Sequence, residues 1–328
     1  MSTDTLRPPN ETLDVVVRHR ELQGSAVAVL DLALPSGSPL PAFTAGAHVE
    51  VHLPGGLVRA YSLCGNPADA SAYRLGVLRE PESRGGSAAV HQHLAAGTRV
   101  TISAPRNHFP LVEDAPYTVL VGGGIGITPM IAMAWRLHAL HAPFELHYCV
   151  RTAQQAAFLA ELQNVPWAHQ VQAHFSEAAD GDKIRPADIL RQAPAGRHLY
   201  VCGPAGFMDW VMDEARNVGL AANQIHREYF SAPVQATGDN SAFEVVAQRS
   251  GKTIPVAADQ GLLEALRGAG IKVSVSCEEG VCGTCACTVL EGEPDHRDAY
   301  LTDEERAAND QILVCCSRAK SSRLVLDL

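Results

Sequence analysis

The stretch Ser276-Cys277-Glu278-Glu279-Gly280-Val281-Cys282-Gly283-Thr284-Cys285, followed later by Cys315, constrains this chain more than any other. It has the form C-x4-C-x2-C…C, the spacing at which four thiolates hold a [2Fe–2S] cluster. Each iron needs two thiolates, so three must leave one tight loop and the fourth must come from a strand brought alongside. Gly280 and Gly283 remove side chains that would keep backbone N–H groups from the sulfurs. The competing reading is a structural zinc site, but zinc favours paired C-x2-C knuckles. Cys287 and Cys316 complicate the count; Cys287 reads as a small apolar residue on the strand leaving the loop.

A chain of 328 residues accommodates two or three domains, each with its own core. A net charge of −10 argues against nucleic acid or an anionic membrane as the main partner. Nine cysteines, four of them at cluster spacing, fit a reducing compartment better than a disulfide framework. The start, Met1 to Asn10, is polar and carries no apolar targeting stretch. The longest apolar run, Val119 to Trp135, is broken by Gly122-Gly123-Gly124 and by Pro129, so it does not read as a bilayer span. The expectation is a cytoplasmic protein with no membrane and no nucleic-acid partner.

Residues 1–112 read as short strands separated by turn signals: Leu13–His19, Ala26–Leu34, His48–Leu53, Val58–Leu63, Tyr73–Arg79 and Arg99–Ser103, with a helix near Gly86–Leu94. This predicts a small antiparallel β-barrel. On the fourth strand, Arg59, Tyr61 and Leu63 share one face and Ser62 takes the other. Arg84-Gly85-Gly86-Ser87 opens the helix with free N–H groups, a hydroxyl and a guanidinium, a phosphate cradle in composition. His91 and His93 form a pair on that helix with no third ligand nearby, and are expected to be inert.

Residues 113–230 switch to strand–helix alternation. Apolar strands at Tyr117–Val121, Phe144–Val150, Val171–Phe175 and Arg197–Cys202 alternate with helices at Pro129–Leu140, Ala153–Leu162, Pro186–Gln192 and Ala205–Val218. That is a doubly wound α/β nucleotide-binding domain, with its ligand at the carboxyl ends of the strands. Gly122-Gly123-Gly124-Ile125-Gly126-Ile127-Thr128-Pro129 follows the first strand, where glycines admit a pyrophosphate and the helix offers its positive end. The usual dehydrogenase G-x-G-x-x-G is absent, and Arg151 rather than an acid follows the second strand. Residues 231–241 have linker composition. From Phe243 the order is a hairpin (Phe243–Gln248, Thr253–Val256), a helix (Leu262–Ala269), the cysteine loop, and strands at Cys287–Leu290 and Arg323–Leu328. The acids Glu278, Glu279, Glu291, Glu293, Asp295, Asp298, Asp303, Glu304, Glu305 and Asp310 face only Arg297 and Arg306 in their interval, a candidate docking surface.

Arg59-Ala60-Tyr61-Ser62-Leu63, Gly122–Pro129 and Cys202-Gly203-Pro204-Ala205-Gly206-Phe207-Met208, in this order, resemble the ferredoxin-NADP-reductase superfamily. The cysteine segment, residues 242–328, resembles a plant-type ferredoxin of β-grasp fold, and that resemblance selects Cys315 over Cys316 beside Cys277, Cys282 and Cys285. The whole order is similar to the phthalate dioxygenase reductase family. The resemblance implies NADH, FMN and a [2Fe–2S] cluster acting in series, with electrons leaving for a separate Rieske oxygenase. It implies Tyr61 against the flavin ring, Ser62 near its reactive edge, and the backbone of Gly76, Val77, Leu78 and Arg79 along it. Arg59 and the cradle of Arg84, Gly85, Gly86 and Ser87 would hold its phosphate. Thr128 and Cys202 would flank the nicotinamide, with Gly124, Gly126, Pro129, Arg151, Gly203 and Pro204 around the dinucleotide. Tyr229 and Phe230 would shield the flavin where nicotinamide must enter, with core packing as the equal alternative for both. No basic cluster for a 2′-phosphate is evident beyond Arg151, Lys183 and Arg185, so NADH is expected over NADPH. No C-x-H…C-x2-H pair of a Rieske centre occurs, so any oxygenase is another chain. The alternative partner is a haem or diiron monooxygenase, in whose reductases the ferredoxin module is more often placed differently; a redox module without NADH turnover is the alternative outside enzymes.

Overall fold

The computed structural model describes residues 11–81, 85–178, 183–230 and 240–328. The chain forms two compact units, Met1–Glu228 and Tyr229–Leu328.

The first unit begins with β1 (Thr12–Gln23), β2 (Val27–Ala33), β3 (Ala47–Leu53), β4 (Leu57–Ser62), β5 (Tyr73–Leu78), helix α1 (Gly86–His93), β6 (Arg99–Ser103) and the short β7 (Arg106–Asn107). They make one antiparallel sheet in the order β4-β3-β6-β1-β2-β5, with β7 on β3. A bridge between Leu63 and Leu75 brings the end of β4 to β5 and closes the barrel. Alternate residues of each strand point inward, so Val15, Val17, Val49, Val51, Leu75 and Val77 fill the interior. His91 has a structural part: its Nε2 lies 2.9 Å from the Val77 carbonyl, tying α1 to β5.

The chain then runs through β8 (Tyr117–Gly123), α2 (Ile127–Ala139), β9 (Phe144–Val150), α3 (Leu159–Leu162), β10 (Val171–Phe175), α4 (Pro186–Gln192), β11 (Arg197–Cys202), α5 (Ala205–Asn217) and β12 (Ile225–Glu228). All five strands are parallel, in the order β10-β9-β8-β11-β12. The first strand lies at the centre, so the order reverses beside it and a crevice opens at its carboxyl end. Two sequence expectations are corrected here. A fifth strand, β12, was not anticipated, because Ile225-His226-Arg227-Glu228 lacks an apolar run and forms only an edge. The helix expected over Ala153–Leu162 is two pieces, a single 3-10 turn at Ala153–Gln155 and α3, separated by Phe158 with φ 63°.

That break fastens the two sheets of this unit together. Phe158 is buried, and its ring sits against Gly76 of β5, where any side chain would meet it at 2.7 Å. The Phe158 N–H donates to Gln23 Oε1 at 2.6 Å, and Arg74 bridges Asp31 (2.8 Å) and Glu161 (2.7 Å). One apolar core accordingly spans both sheets, including Val27, Val29 and Phe109 from the barrel side with Met130, Tyr148 and Trp167.

The second unit contains β13 (Phe243–Ala247), β14 (Lys252–Val256), α6 (Leu262–Gly268), β15 (Ala286–Glu291), β16 (Pro294–Asp295), α7 (Asp303–Ala308), β17 (Gln311–Leu313), β18 (Arg318–Ala319) and β19 (Arg323–Leu326). The main sheet runs β14-β13-β19-β15-β17, and β16 pairs with β18. The parallel pairing of β13 with the chain's last strand, crossed by α6, is the β-grasp arrangement. Helix α7 went unpredicted despite a capping box: Thr302 Oγ1 accepts from Glu305 N at 3.2 Å, and Glu305 reaches back to Thr302 N at 2.8 Å. Among the described residues no helix is long and apolar enough to cross a membrane.

Candidate functional site

At the carboxyl end of β8 the two glycine motifs pack on one another. Cys202 of β11 registers with Gly122, and a side chain at Gly126 would strike the Cys202 carbonyl. Gly203 lies 3.0 Å, from its missing Cβ, to Gly123 Cα. Gly126 is therefore required for packing of the two turns, whereas Gly124, with φ 56° and nothing within 4 Å of its missing side chain, is the glycine that faces open space. The space is a cavity of about 420 Å³ whose walls include Gly124, Arg151, Pro204 and, from the barrel, Leu78. Thr128, Pro129, Cys202 and Ser62 are buried beside it and are not among its lining residues. Helix α2 starts at Ile127, two residues before the expected Pro129, and a 3-10 turn at Gly124–Gly126 leads into it. Thr128 donates to the Ile125 carbonyl at 3.0 Å, which aims its methyl at Gly76.

On the barrel, Arg59 lies across the start of α1. A side chain on Gly86 would fall 2.6 Å from Arg59 Cγ, and Gly85 adopts φ 89° with no side-chain cap on the helix. The N–H groups of this turn thus stay available beside a guanidinium, which suits a phosphate. Ser87 Oγ accepts from Glu80 N at 3.1 Å; Arg84 lies outside the described residues. Gly76 and Val77 are buried within β5, Leu78 is part-buried, and Arg79 is exposed with its N–H on the Ala26 carbonyl at 2.8 Å. Tyr61 is half-buried and packs against the barrel core.

The sequence reading missed Glu228. It closes β12 in register with Cys202, and Ser62 Oγ donates to its Oε2 at 3.2 Å. Burial pushes the Glu228 carboxyl up to about 8, opposed by the Ser62 hydrogen bond. Burial and the neighbouring Glu228 drive the Cys202 thiol well above its usual range, so it stays neutral. A serine, a protonatable carboxyl and a neutral thiol are thereby joined across the two sheets of the first unit. Recognising β12 as a strand would have placed residue 228 beside residue 202 by register, whereas the Ser62 contact arises only where the two sheets pack. Phe230 belongs to the second unit and is 37% exposed.

In the second unit the thiols form a run of neighbours, close enough that Cys282 and Cys315 act on the ionisation of Cys277, and Cys315 on that of Cys285. The neighbouring Cys282 and Cys315 hold Cys277 below the usual thiol range. Among the described residues no three His, Cys, Asp or Glu side chains close on a point suited to one ion. The Cys316 sulfur sits 2.5 Å from where a Gly280 side chain would begin, and faces Leu313 O and Ser317 Oγ. Gly280 (φ 73°) and Gly283 (φ 72°) are needed for these turns, and Cys316 and Tyr300 fill the room their side chains would take. Cys287 is buried and its thiol pushed up to about 12 by burial, as expected of a packing residue.

The acidic run is less uniform than its sequence. Asp298 is buried, accepting from Tyr300 N and Leu301 N; Glu278 pairs with Arg267 at 2.7 Å and Glu293 with Lys320 at 3.1 Å, cations from outside the interval.

Comparison with known proteins matches residues 245–320 to the "2Fe-2S iron-sulfur cluster binding domain" and residues 120–213 to the "Oxidoreductase NAD-binding domain". A vanillate O-demethylase oxidoreductase of a Pseudomonas species is 49% identical over 316 residues, covering 96% of this chain and all of that protein (100%). The solved phthalate dioxygenase reductase, titled as a modular structure for electron transfer from pyridine nucleotides to [2Fe–2S], is 37% identical. It covers 97% of this chain and 98% of its own at a TM-score of 0.76. The chain belongs to the phthalate dioxygenase reductase family. Members of the phthalate dioxygenase reductase family are reductase components of oxygenase systems, and this one is an NADH-dependent flavin iron–sulfur reductase using FMN, NADH and a [2Fe–2S] cluster. An intact self-sufficient cytochrome P450 monooxygenase also carries the architecture, 38% identical with a TM-score of 0.83 over 97% of this chain and 41% of its own. The same module order therefore occurs in at least one haem oxygenase.

Proposed function

We propose that this reductase delivers electrons from NADH to a separate Rieske non-haem iron oxygenase that hydroxylates or O-demethylates an aromatic acid. End-to-end likeness to a vanillate O-demethylase oxidoreductase supports this reading most directly. In the family's chemistry the flavin accepts a hydride as a pair of electrons and the cluster passes them on singly.

Arg59 with Gly85, Gly86 and Ser87 holds the FMN phosphate, with Arg84 assigned there from sequence. Tyr61, Ser62 and the backbone of Gly76–Arg79 hold its ring. Gly124 and Arg151 face the dinucleotide, with Gly126, Pro129, Gly203 and Pro204 shaping its turns. Thr128 and Cys202, both buried, exclude water where the nicotinamide and flavin must stack. Glu228 orients the Ser62 hydroxyl through their hydrogen bond and holds a proton near it at neutral pH. Cys277, Cys282, Cys285 and Cys315 are the iron ligands.

The test is reconstitution: purified reductase, NADH and candidate Rieske oxygenases, with the oxidised aromatic product identified. Product formation coupled to NADH consumption is expected. Turnover with a cytochrome P450 and none with any Rieske oxygenase would transfer the assignment to the alternative partner.

A further inference from the structure

The nucleotide cavity has two chemically distinct ends. Toward the barrel it is bounded by Val27 and Leu78; beyond the glycine turn it is bounded by Ser176, Ile184, Phe207 and Trp210. A dinucleotide whose pyrophosphate lies at Gly124 must send its nicotinamide toward the barrel, where the flavin strand runs. Its adenosine is then left to the far end. That end contains an aromatic surface that the fold does not otherwise use.

Helix α5 buries Met208, Val211, Met212 and Ala215 against the sheet. Phe207 and Trp210, three residues apart, share another side and meet edge-on, with ring centroids 6.2 Å apart at 60°. Phe207 approaches so closely that a side chain at Gly123 would meet its ring at 2.8 Å. Trp210 stands over the cavity 42% exposed, in contrast with Trp167, which is fully buried. A part-exposed indole in the wall of a cavity, braced by a second ring, can receive another flat ring.

We propose that Trp210, braced by Phe207, is the stacking platform for the adenine of NADH. The proposal rests on the reading of this cavity as the dinucleotide site. Stacking of a base on an aromatic side chain is worth roughly five- to hundredfold in binding when judged by alanine substitution.

The experiment uses the holoenzyme and two ligands that divide NADH: ADP-ribose, which keeps the adenine and lacks nicotinamide, and reduced nicotinamide mononucleotide, which does the opposite. ADP-ribose is measured by calorimetry and as an inhibitor competing with NADH. Trp210→Ala is expected to weaken ADP-ribose roughly five- to hundredfold and raise KM for NADH far more than it lowers kcat. Its preference for NADH over the mononucleotide, as a ratio of kcat/KM, should fall by the same factor. Trp210→Phe should recover most of the affinity. Equal ADP-ribose binding in the original protein and Trp210→Ala, or an unchanged NADH-to-mononucleotide ratio, would overturn the platform. Failure of ADP-ribose to compete with NADH in the unaltered protein overturns instead the cavity's assignment, and the platform with it.

Discussion

Cys316 is joined to a candidate iron ligand by one peptide bond, yet its sulfur is committed to Leu313, Ser317 and the space above Gly280. Cys315→Ser should accordingly abolish or severely alter the visible and paramagnetic signals of the cluster, while Cys316→Ser leaves them nearly intact. Flavin reduction by NADH, upstream of the cluster, should survive in both. Loss of the cluster signal in Cys316→Ser alone would reverse the ligand assignment. Glu228 offers a second test at this scale. Its carboxyl is raised to about 8 from the 4.5 of a free glutamate, so the folded chain binds this proton more tightly than the unfolded one. Its contribution to stability is complete below 4.5, and is lost as pH rises through 8. Glu228→Gln, which keeps a neutral partner for Ser62, should shrink the fall in melting temperature between about pH 6 and about pH 9. An unchanged fall would place the titration elsewhere.

Among the elements, the regular ones were legible from period and turn chemistry: the barrel strands, the four apolar parallel strands and the hairpin of the second unit. The cysteine loop and the two glycine turns were equally legible, because each demands particular residue types at fixed spacing. What escaped were features that only pairing creates. β12 has no apolar run and becomes a strand by bonding to β11; Glu228 gains its role from that register. The break at Phe158 escaped for another reason: Ala153–Leu162 has helical composition, and tertiary packing on Gly76 overrides it. A phenylalanine at φ 63° is strained, and the burial of its ring must offset that strain. Phe158→Ala should therefore cost about 3–5 kcal/mol, as truncating a buried aromatic does, read from urea unfolding of the first unit. A cost near zero would mean the ring is not what joins β5 to α3.

At the scale of the molecule, contacts divide the chain after Glu228 and not between barrel and nucleotide sheet. Gln23 on Phe158, Arg74 on Glu161, and a core running from Val27 to Trp167 make those two sheets one body. In a scanning calorimeter this chain should absorb heat in two events. The first unit, despite its two architectures, should melt in a single cooperative peak, and the second unit should give its own. With roughly 0.7 kcal/mol of enthalpy per residue near 60 °C, the larger peak should carry over twice the heat of the smaller. Three separated peaks would show that the contacts across the first unit do not couple its halves. If they do couple, flavin released from the barrel by heat should leave at the same temperature at which the dinucleotide site is lost, and neither half should persist as a folded remnant.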